Sequence, residues 1–156
     1  MEKMDYADLI ITGALSAAPL SELRGGLLFA LAKNVNPLLA FLIAVIANIF
    51  AVFLIFLFLD FLHVRLLKFQ AYGRCFDYYA ARIRNKVANY GKIKYFTLFL
   101  FVAIPSPGTG AYTGTLLSWL LGLDRKKSFI AIALGVVAAG FLTLAFLVGL
   151  SSLLKM

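Results

Sequence analysis

Two charged residues near the beginning of the chain have the types and spacing that could do chemistry inside a membrane. Glu22 and Arg24 lie in the stretch APLSELRGG, positions 18–26, which interrupts an otherwise apolar segment spanning residues 9–32. A charged side chain at membrane depth costs about 2.5–3.5 kcal/mol, so it is kept for a reason. Arginine offers a planar fork of donors suited to phosphate or carboxylate, and a buried glutamate can take up a proton. The pair therefore predicts a site for an anionic group beside a proton-carrying carboxylate.

A structural role for the same two residues is the alternative. Two positions apart, they would not share one face of a regular helix, but at an unwound break both side chains can point into one cavity. There they could neutralise each other or anchor the break by bonding to free backbone groups. Pro19, Ser21 and Gly25 complete this first break, because proline removes a backbone donor and glycine permits unusual dihedral angles.

A second break has the composition of an anion site. The stretch IPSPGTG, positions 104–110, precedes a half-helix that begins near Ala111. Backbone N–H groups at a helix N-terminus with glycines before it bind anions. The alternative is a proline turn that satisfies its own backbone, with hydroxyl groups that bond to their own helix. The candidate residues of this break are Pro105, Ser106, Pro107, Gly108, Thr109, Gly110 and Thr113.

Few other residues offer chemistry. Asn48 lies near the middle of a long apolar segment, where it either lines a cavity or forms an interhelical hydrogen bond, and we favour the bond. His63 is the single histidine and Cys75 the single cysteine, so no metal-ligand cluster and no intrachain disulfide is expected. No Ser/His/Asp arrangement, phosphate-binding loop or metalloprotease motif is present, and neither an enzyme nor a cofactor is predicted.

The composition assigns the chain to the membrane proteins. Of its 156 residues, 63% are hydrophobic and only 14% are charged, which leaves too little polar surface for a soluble domain of this size. The formal net charge is +8. Because the basic residues lie between apolar runs, they indicate anionic lipid and membrane topology, and binding of nucleic acid is not expected.

Four apolar segments of two kinds follow from the hydropathy pattern. Residues 37–59 and 128–154 carry no charge, and each is long enough as a helix to cross a hydrocarbon core of about 30 Å. The segments 9–32 and 95–123 are instead broken in the middle. The half-helices predicted at 95–104 and 111–123 would be only about 15–20 Å long. Each broken segment is therefore a kinked span or a re-entrant hairpin.

The distribution of basic residues favours re-entrant hairpins. The connection between the first spanning helix and the second broken segment is rich in lysine and arginine, and so is the short loop 124–127. Both loops are cytoplasmic under the positive-inside rule only if residues 95–123 re-enter. The sequence thus predicts an all-α integral membrane protein: an inverted repeat of two re-entrant helical hairpins and two spanning helices, at residues 5–62 and 95–154.

The connection between the repeats has a pattern of its own. Across residues 63–94, apolar residues recur at spacings of three and four, which predicts a cytoplasmic amphipathic helix. It either lies on anionic lipid or packs on the helix bundle or a second subunit. Because two full spans shield little irregular backbone from lipid, a homo-oligomer is expected.

The two breaks resemble a known family. APLSELRGG at 18–26 and IPSPGTGAYTG at 104–114 look like the signature stretches of the small multidrug export protein family, which is related to the DedA superfamily. The resemblance covers nearly the whole chain and implies two re-entrant hairpins and two spanning helices. It also implies membrane lipids as partners, among them polyprenyl-phosphate, with a proton or sodium as coupling ion. Many DedA proteins carry an arginine in the second hairpin, where this chain has Thr109, Gly110 and Ala111.

These observations predict a multi-pass protein of the plasma (inner) membrane. The expected function is a transporter or flippase of an anionic, phosphate-bearing lipid or small solute, in which Arg24 and the amides of residues 108–111 hold the anion. Glu22 would carry a coupling proton. The alternatives are an exporter of cationic drugs, with Glu22 as the partner of the cation, and a membrane scaffold that assembles other proteins without transport.

Overall fold

The computed structural model describes residues 6–66, 93–104 and 110–154 of the chain, without the side chains of residues 63, 64, 66 and 151–154. Every regular element in these ranges is a helix, and no strand occurs in them. The helices are α1 (Tyr6–Ser16), α2 (Glu22–Ala32), α3 (Pro37–Leu66), α4 (Ile93–Ala103), α5 (Ala111–Leu120) and α6 (Arg125–Leu154).

Two of the helices, α3 and α6, are long and apolar enough to cross a membrane. The apolar portions Pro37–Leu62 and Arg125–Leu150 have 26 residues each, or about 39 Å as helices. They run antiparallel, because Phe41 near the start of α3 packs on Phe141, with 4.5 Å between ring centroids, while Asp60 near its end pairs with Arg125. The other four described helices have 10 or 11 residues and reach only about half as far.

The distribution of polar and apolar side chains is that of a protein in lipid. Large apolar residues cover the outside of the long helices, for example Phe50 at 59% exposure and Phe146 at 68%. Within the part of the chain that the structure describes, six polar residues lie buried between the helices: Thr12, Ser16, Asn48, Thr115, Ser118 and Ser128. Such a continuous apolar exterior would aggregate in water, whereas lipid accepts it.

Each pair of short helices forms a hairpin that packs against a long helix. In the first hairpin α2 lies so close to α1 that a Cβ on Gly26 would come 2.7 Å from the carbonyl oxygen of Thr12. In the second, a Cβ on Gly114 would come 2.7 Å from Val102 Cγ2 of α4. These glycines stand inside the helices because any side chain would separate the two arms.

The local structure repeats in the two halves at an offset of 88 residues. Asn34 and Gly122 both have left-handed backbone conformations, with φ of 56° and 60°, just after a short helix. Two residues further on, the side chains of Asn36 and Asp124 accept backbone N–H groups and cap the long helices. Matching backbone bonds close the short helices: Val35 to Ala30 and Leu123 to Ser118, Asn34 to Leu31 and Gly122 to Trp119. Each half is therefore a hairpin, a tight turn and a long helix.

The sequence predicted the helices well and their ends less well. α3 extends to Leu66 and not to residue 59, and α6 begins at Arg125 and not at residue 128. The predicted first break at 18–26 shortens to 17–21, so that Arg24, Gly25 and Gly26 belong to α2. The reason is that Gly26 permits close packing on α1 without unwinding the helix. The predicted amphipathic helix at 63–94 lies almost wholly outside the described residues.

Candidate functional site

The first turn of α2 meets the N-terminus of α5 inside the helix bundle. The carboxylate of Glu22 lies against Gly110, where a Cβ would overlap both of its oxygens. The backbone N–H of Tyr112, in the first turn of α5, forms a hydrogen bond with this carboxylate. Such first-turn N–H groups have no partner within their own helix and attract negative charge. The N-terminus of α5 thus holds an anion that the first hairpin supplies.

Two further hydrogen bonds cross between the hairpins in opposite directions. Arg24 Nη2 of α2 lies 3.4 Å from the carbonyl oxygen of Ile104, which follows α4. The hydroxyl of Tyr112 in α5 donates to the carbonyl of Ala17, which follows α1. Arg24 and Tyr112 occupy corresponding positions, 88 residues apart. Each side chain reaches a carbonyl group at the C-terminal end of the first helix of the other hairpin. Both hairpins thereby use carbonyl groups that the helix ends leave free.

The backbone of Glu22 is strained. Its φ is 49°, in the left-handed region that a residue with a Cβ rarely adopts, at a cost of about 1–2 kcal/mol. Its N–H bonds to the carbonyl of Ala18 at 2.9 Å, and Ser21 Oγ bonds to the carbonyl of Leu15 at 2.6 Å. This tight turn directs the Glu22 carboxylate towards Gly110. Strain of this kind is concentrated at functional sites.

Asn48 gives the depth of the site. Its Nδ2 donates to the carbonyl oxygen of Ser16 at 3.1 Å, which ties α3 to the end of α1. Its Oδ1 is buried and has no partner among the described residues. Asn48 stands near the middle of Pro37–Leu62. It lines a small cavity in which the centre of a water molecule can occupy about 10 Å³, so the cavity has room for roughly one water. The cavity is lined by Glu22, Leu23, Arg24, Asn48, Val102, Gly110, Ala111, Val136 and Ala139. The start of α2 and the start of α5 therefore meet halfway along both long helices, with room for about one water molecule between them.

The structure brings together four of the residues that the sequence predicted for the site: Glu22, Arg24, Asn48 and Gly110. Pro19 is exposed at the tip of the first hairpin, while Ser21 and Gly25 contact each other within that hairpin. Thr113 is half-buried and does not line the cavity. The remaining candidates lie outside the described residues: Pro105, Ser106, Pro107, Gly108 and Thr109. Within the described ranges, no group of three or more His, Cys, Asp or Glu could hold a metal ion.

Two polar features escaped the sequence reasoning. Tyr112, which the sequence analysis included only as part of the stretch IPSPGTGAYTG, holds the first hairpin through both its backbone N–H and its hydroxyl. Asp60 accepts from Trp119 Nε1 at 3.2 Å and pairs with Arg125, which lies 5.5 Å from the centre of the Phe56 ring. This second cluster joins α3, α5 and α6. The sequence feature that could have revealed it is a carboxylate directly after 23 uncharged residues.

A comparison with protein-family profiles identifies the family of the chain. The profile of the family described as "Putative small multi-drug export protein" matches residues 22–142, which begin at Glu22 and include the second break. The chain belongs to this family. No curated protein and no solved structure matches it. The small multi-drug export family and the two apolar helices of spanning length together identify a membrane protein.

Proposed function

We propose that the protein is a membrane transporter whose substrate carries an anionic group, such as the phosphate of a lipid or of a small solute. One observation carries the proposal: the amide N-terminus of α5 already holds a carboxylate, that of Glu22, at mid-depth beside Arg24. A helix N-terminus that holds one anion can hold another. Glu22 would then occupy the substrate's position while the site is empty.

The membrane arrangement that we propose has two re-entrant hairpins and inverted halves. A Cβ on Gly13 of α1 would lie 3.6 Å from Ile43 Cγ2 in the first half of α3, and Ser16 at the end of α1 contacts Asn48 near the middle of α3. α2 then returns to the start of α3 through a short turn. Because α3 and α6 are antiparallel, the second hairpin would enter from the opposite face, as in other transporters built from inverted repeats.

In this mechanism Glu22 and the substrate compete for the same donors. Protonation of Glu22 removes its negative charge, so the first-turn N–H groups of α5 and the guanidinium of Arg24 become available to the substrate. Deprotonation returns the carboxylate and expels the anion. The cavity fits only about one water, so the crossing bonds of Arg24 and Tyr112 must open before a phosphate enters. Alternating opening towards the two faces would carry the substrate across.

The name of the family favours a second candidate, the export of drugs. A cationic drug would use Glu22 as its partner at mid-depth. The geometry supports this candidate less well, because the Glu22 carboxylate already accepts from an amide and lies beside a positive guanidinium. A scaffold without transport activity is the third class, and it predicts no flux in liposomes that contain this protein alone.

The location of the protein and its partners are part of the same proposal. We place the protein in the plasma membrane with residues 63–94 and 124–127 in the cytoplasm, because both stretches are basic. Its partners would be membrane lipids, including polyprenyl-phosphates as in DedA proteins, a coupling proton or sodium ion, and a second copy of the chain.

The test is flux in liposomes that contain the purified protein, with a pH gradient and either a fluorescent phosphate-bearing lipid or a cationic dye. We expect flux of the phosphate lipid. Arg24→Lys keeps the charge but loses the two-pronged donor, which should lower flux at least about tenfold. Glu22→Gln keeps an oxygen for the Tyr112 N–H but loses the titrating charge, so it should abolish accumulation driven by the pH gradient and leave passive exchange.

Lys33→Gln is the matched control, since Lys33 is an exposed cation just after the same helix. It should leave flux unchanged. Melting temperatures separate effects on transport from effects on folding. Glu22→Gln and Arg24→Gln could each only destabilise the protein, while their combination restores both stability and flux. In that case the two charges merely neutralise each other. Flux of the cationic dye alone would support the second candidate, and no flux of either substrate would support the scaffold.

A further inference from the structure

A groove on the outside of the second half has the shape and charge of a lipid site, separate from the meeting point of the breaks. It lies between α4 and α6 and has a volume of about 820 Å³, within the range of about 300–1,000 Å³ that small-molecule sites occupy. Its lining is Lys94, Tyr95, Phe96, Phe99, Lys127, Ile130, Ala131 and Leu134.

The two ends of the groove differ in chemistry. α4 and α6 run parallel here: Lys94 and Lys127 stand near their starts, while Phe99 and Leu134 lie more than one turn further along both helices. Both ammonium groups are therefore at one end, and neither forms an ion pair with a described residue. The remaining length is walled by apolar side chains such as Ile130, 58% exposed, and Phe96, 61% exposed.

The fold itself does not require these lysines. The corresponding positions in the first half, 88 residues earlier, are Tyr6 and Leu39, and both also lie at the starts of helices. Helix starts do not favour cations in general either, because the helix dipole disfavours positive charge there. The two positive charges at this end of the groove therefore destabilise the helix starts, and a ligand with negative charge would offset this cost.

We propose that this groove binds one anionic diacyl phospholipid, with the phosphate between Lys94 and Lys127 and an acyl chain along Phe96, Phe99 and Leu134. The end with the lysines is also the end where Asp60 pairs with Arg125, directly after the uncharged stretch 37–59 of α3. Headgroup phosphates lie at this depth, so the lipid keeps its ordinary orientation in the leaflet. The site does not depend on the transport mechanism proposed above.

Native mass spectrometry of the purified protein, titrated with dioleoyl-phosphatidylglycerol or dioleoyl-phosphatidylcholine, tests the charge. We expect one tight site for the anionic lipid. Combined Lys94→Gln and Lys127→Gln should weaken its binding roughly 30-fold and leave binding of the zwitterionic lipid unchanged. Lys126→Gln is the matched control: this neighbouring cation does not line the groove, and its loss should change binding less than about threefold. An equal loss with Lys126→Gln would overturn the site in favour of general surface charge.

The apolar part of the groove is tested separately. Leu134→Trp should fill the groove and lower binding of the anionic lipid, whereas Leu142→Trp on the same helix, equally exposed but outside the groove, should not. Both positions face outwards, so neither substitution disturbs the core. Unchanged lipid binding in Leu134→Trp, or full competition by soluble glycerol 3-phosphate, would refute a lipid site and leave a phosphate site at the lysines alone.

Discussion

Gly110→Ala tests the contact between the two breaks most directly. An added Cβ would overlap both carboxylate oxygens of Glu22, so the carboxylate or the start of α5 must move. Overpacking of this kind costs about 1–3 kcal/mol, and each kilocalorie lowers the melting temperature by roughly 2–4 °C in a chain of this length. The backbone itself adds no strain, because Gly110 is extended, with φ of −165°. The whole effect should therefore arise from Glu22.

A double-mutant cycle with Glu22→Gly isolates that effect. Glycine at position 22 accepts the φ of 49° and removes the carboxylate, so Gly110→Ala in this background should change stability by less than about 0.5 kcal/mol. Gly149→Ala is the control, because a Cβ there meets no atom within 4 Å. Unfolding in mixed micelles with sodium dodecyl sulfate measures all four variants. If Gly110→Ala destabilised both backgrounds equally, the two breaks would not touch and the proposed site would fail.

Three further predictions concern the frame around the site. Asp60→Asn should lower stability by only about 0.5–1 kcal/mol in the same unfolding assay, because both partners of its ion pair are 45% exposed. Gly122→Ala should destabilise by about 1–2 kcal/mol, since its φ is 60°, whereas Asn34→Gly at the corresponding turn should not destabilise. Single cysteines at positions 74 and 126, in a Cys75→Ser background, should both resist an impermeant thiol reagent added to intact cells, and labelling of only one would contradict the re-entrant second hairpin.

The long apolar helices were predictable because their signal is local. An uninterrupted run of apolar residues sets the length of α3 and α6 without reference to any other segment. The ends were less predictable: the added turns of α3 and α6 contain Asp60 and Arg125, whose charges are tolerated because they pair with each other. Pairing of this kind depends on residues distant in sequence, which one segment cannot reveal.

The candidate site was predictable in its charges and not in its contacts. Glu22 and Arg24 are conspicuous because charge is rare in an apolar segment. Tyr112 gave no such signal, since tyrosine is uncharged and does not stand out within an apolar segment. Its role depends on the close approach of two hairpins, in which the bonded residues are 95 positions apart in the chain. Hydropathy contains no information on that approach.

The correspondence between the two halves explains why the carboxylate needs to be present only once. Glu22 and Gly110 are corresponding positions and also touch each other, which places their contact where a two-fold relation between the halves would have its axis. Two carboxylates at such a point would repel each other, and two glycines would leave the space empty. One half therefore supplies the carboxylate, and the other supplies the room and the amide donors. The division makes the site polar and asymmetric within a repeated frame. In the proposed mechanism, a proton on Glu22 would therefore act on the contact between the hairpins and not on the long helices.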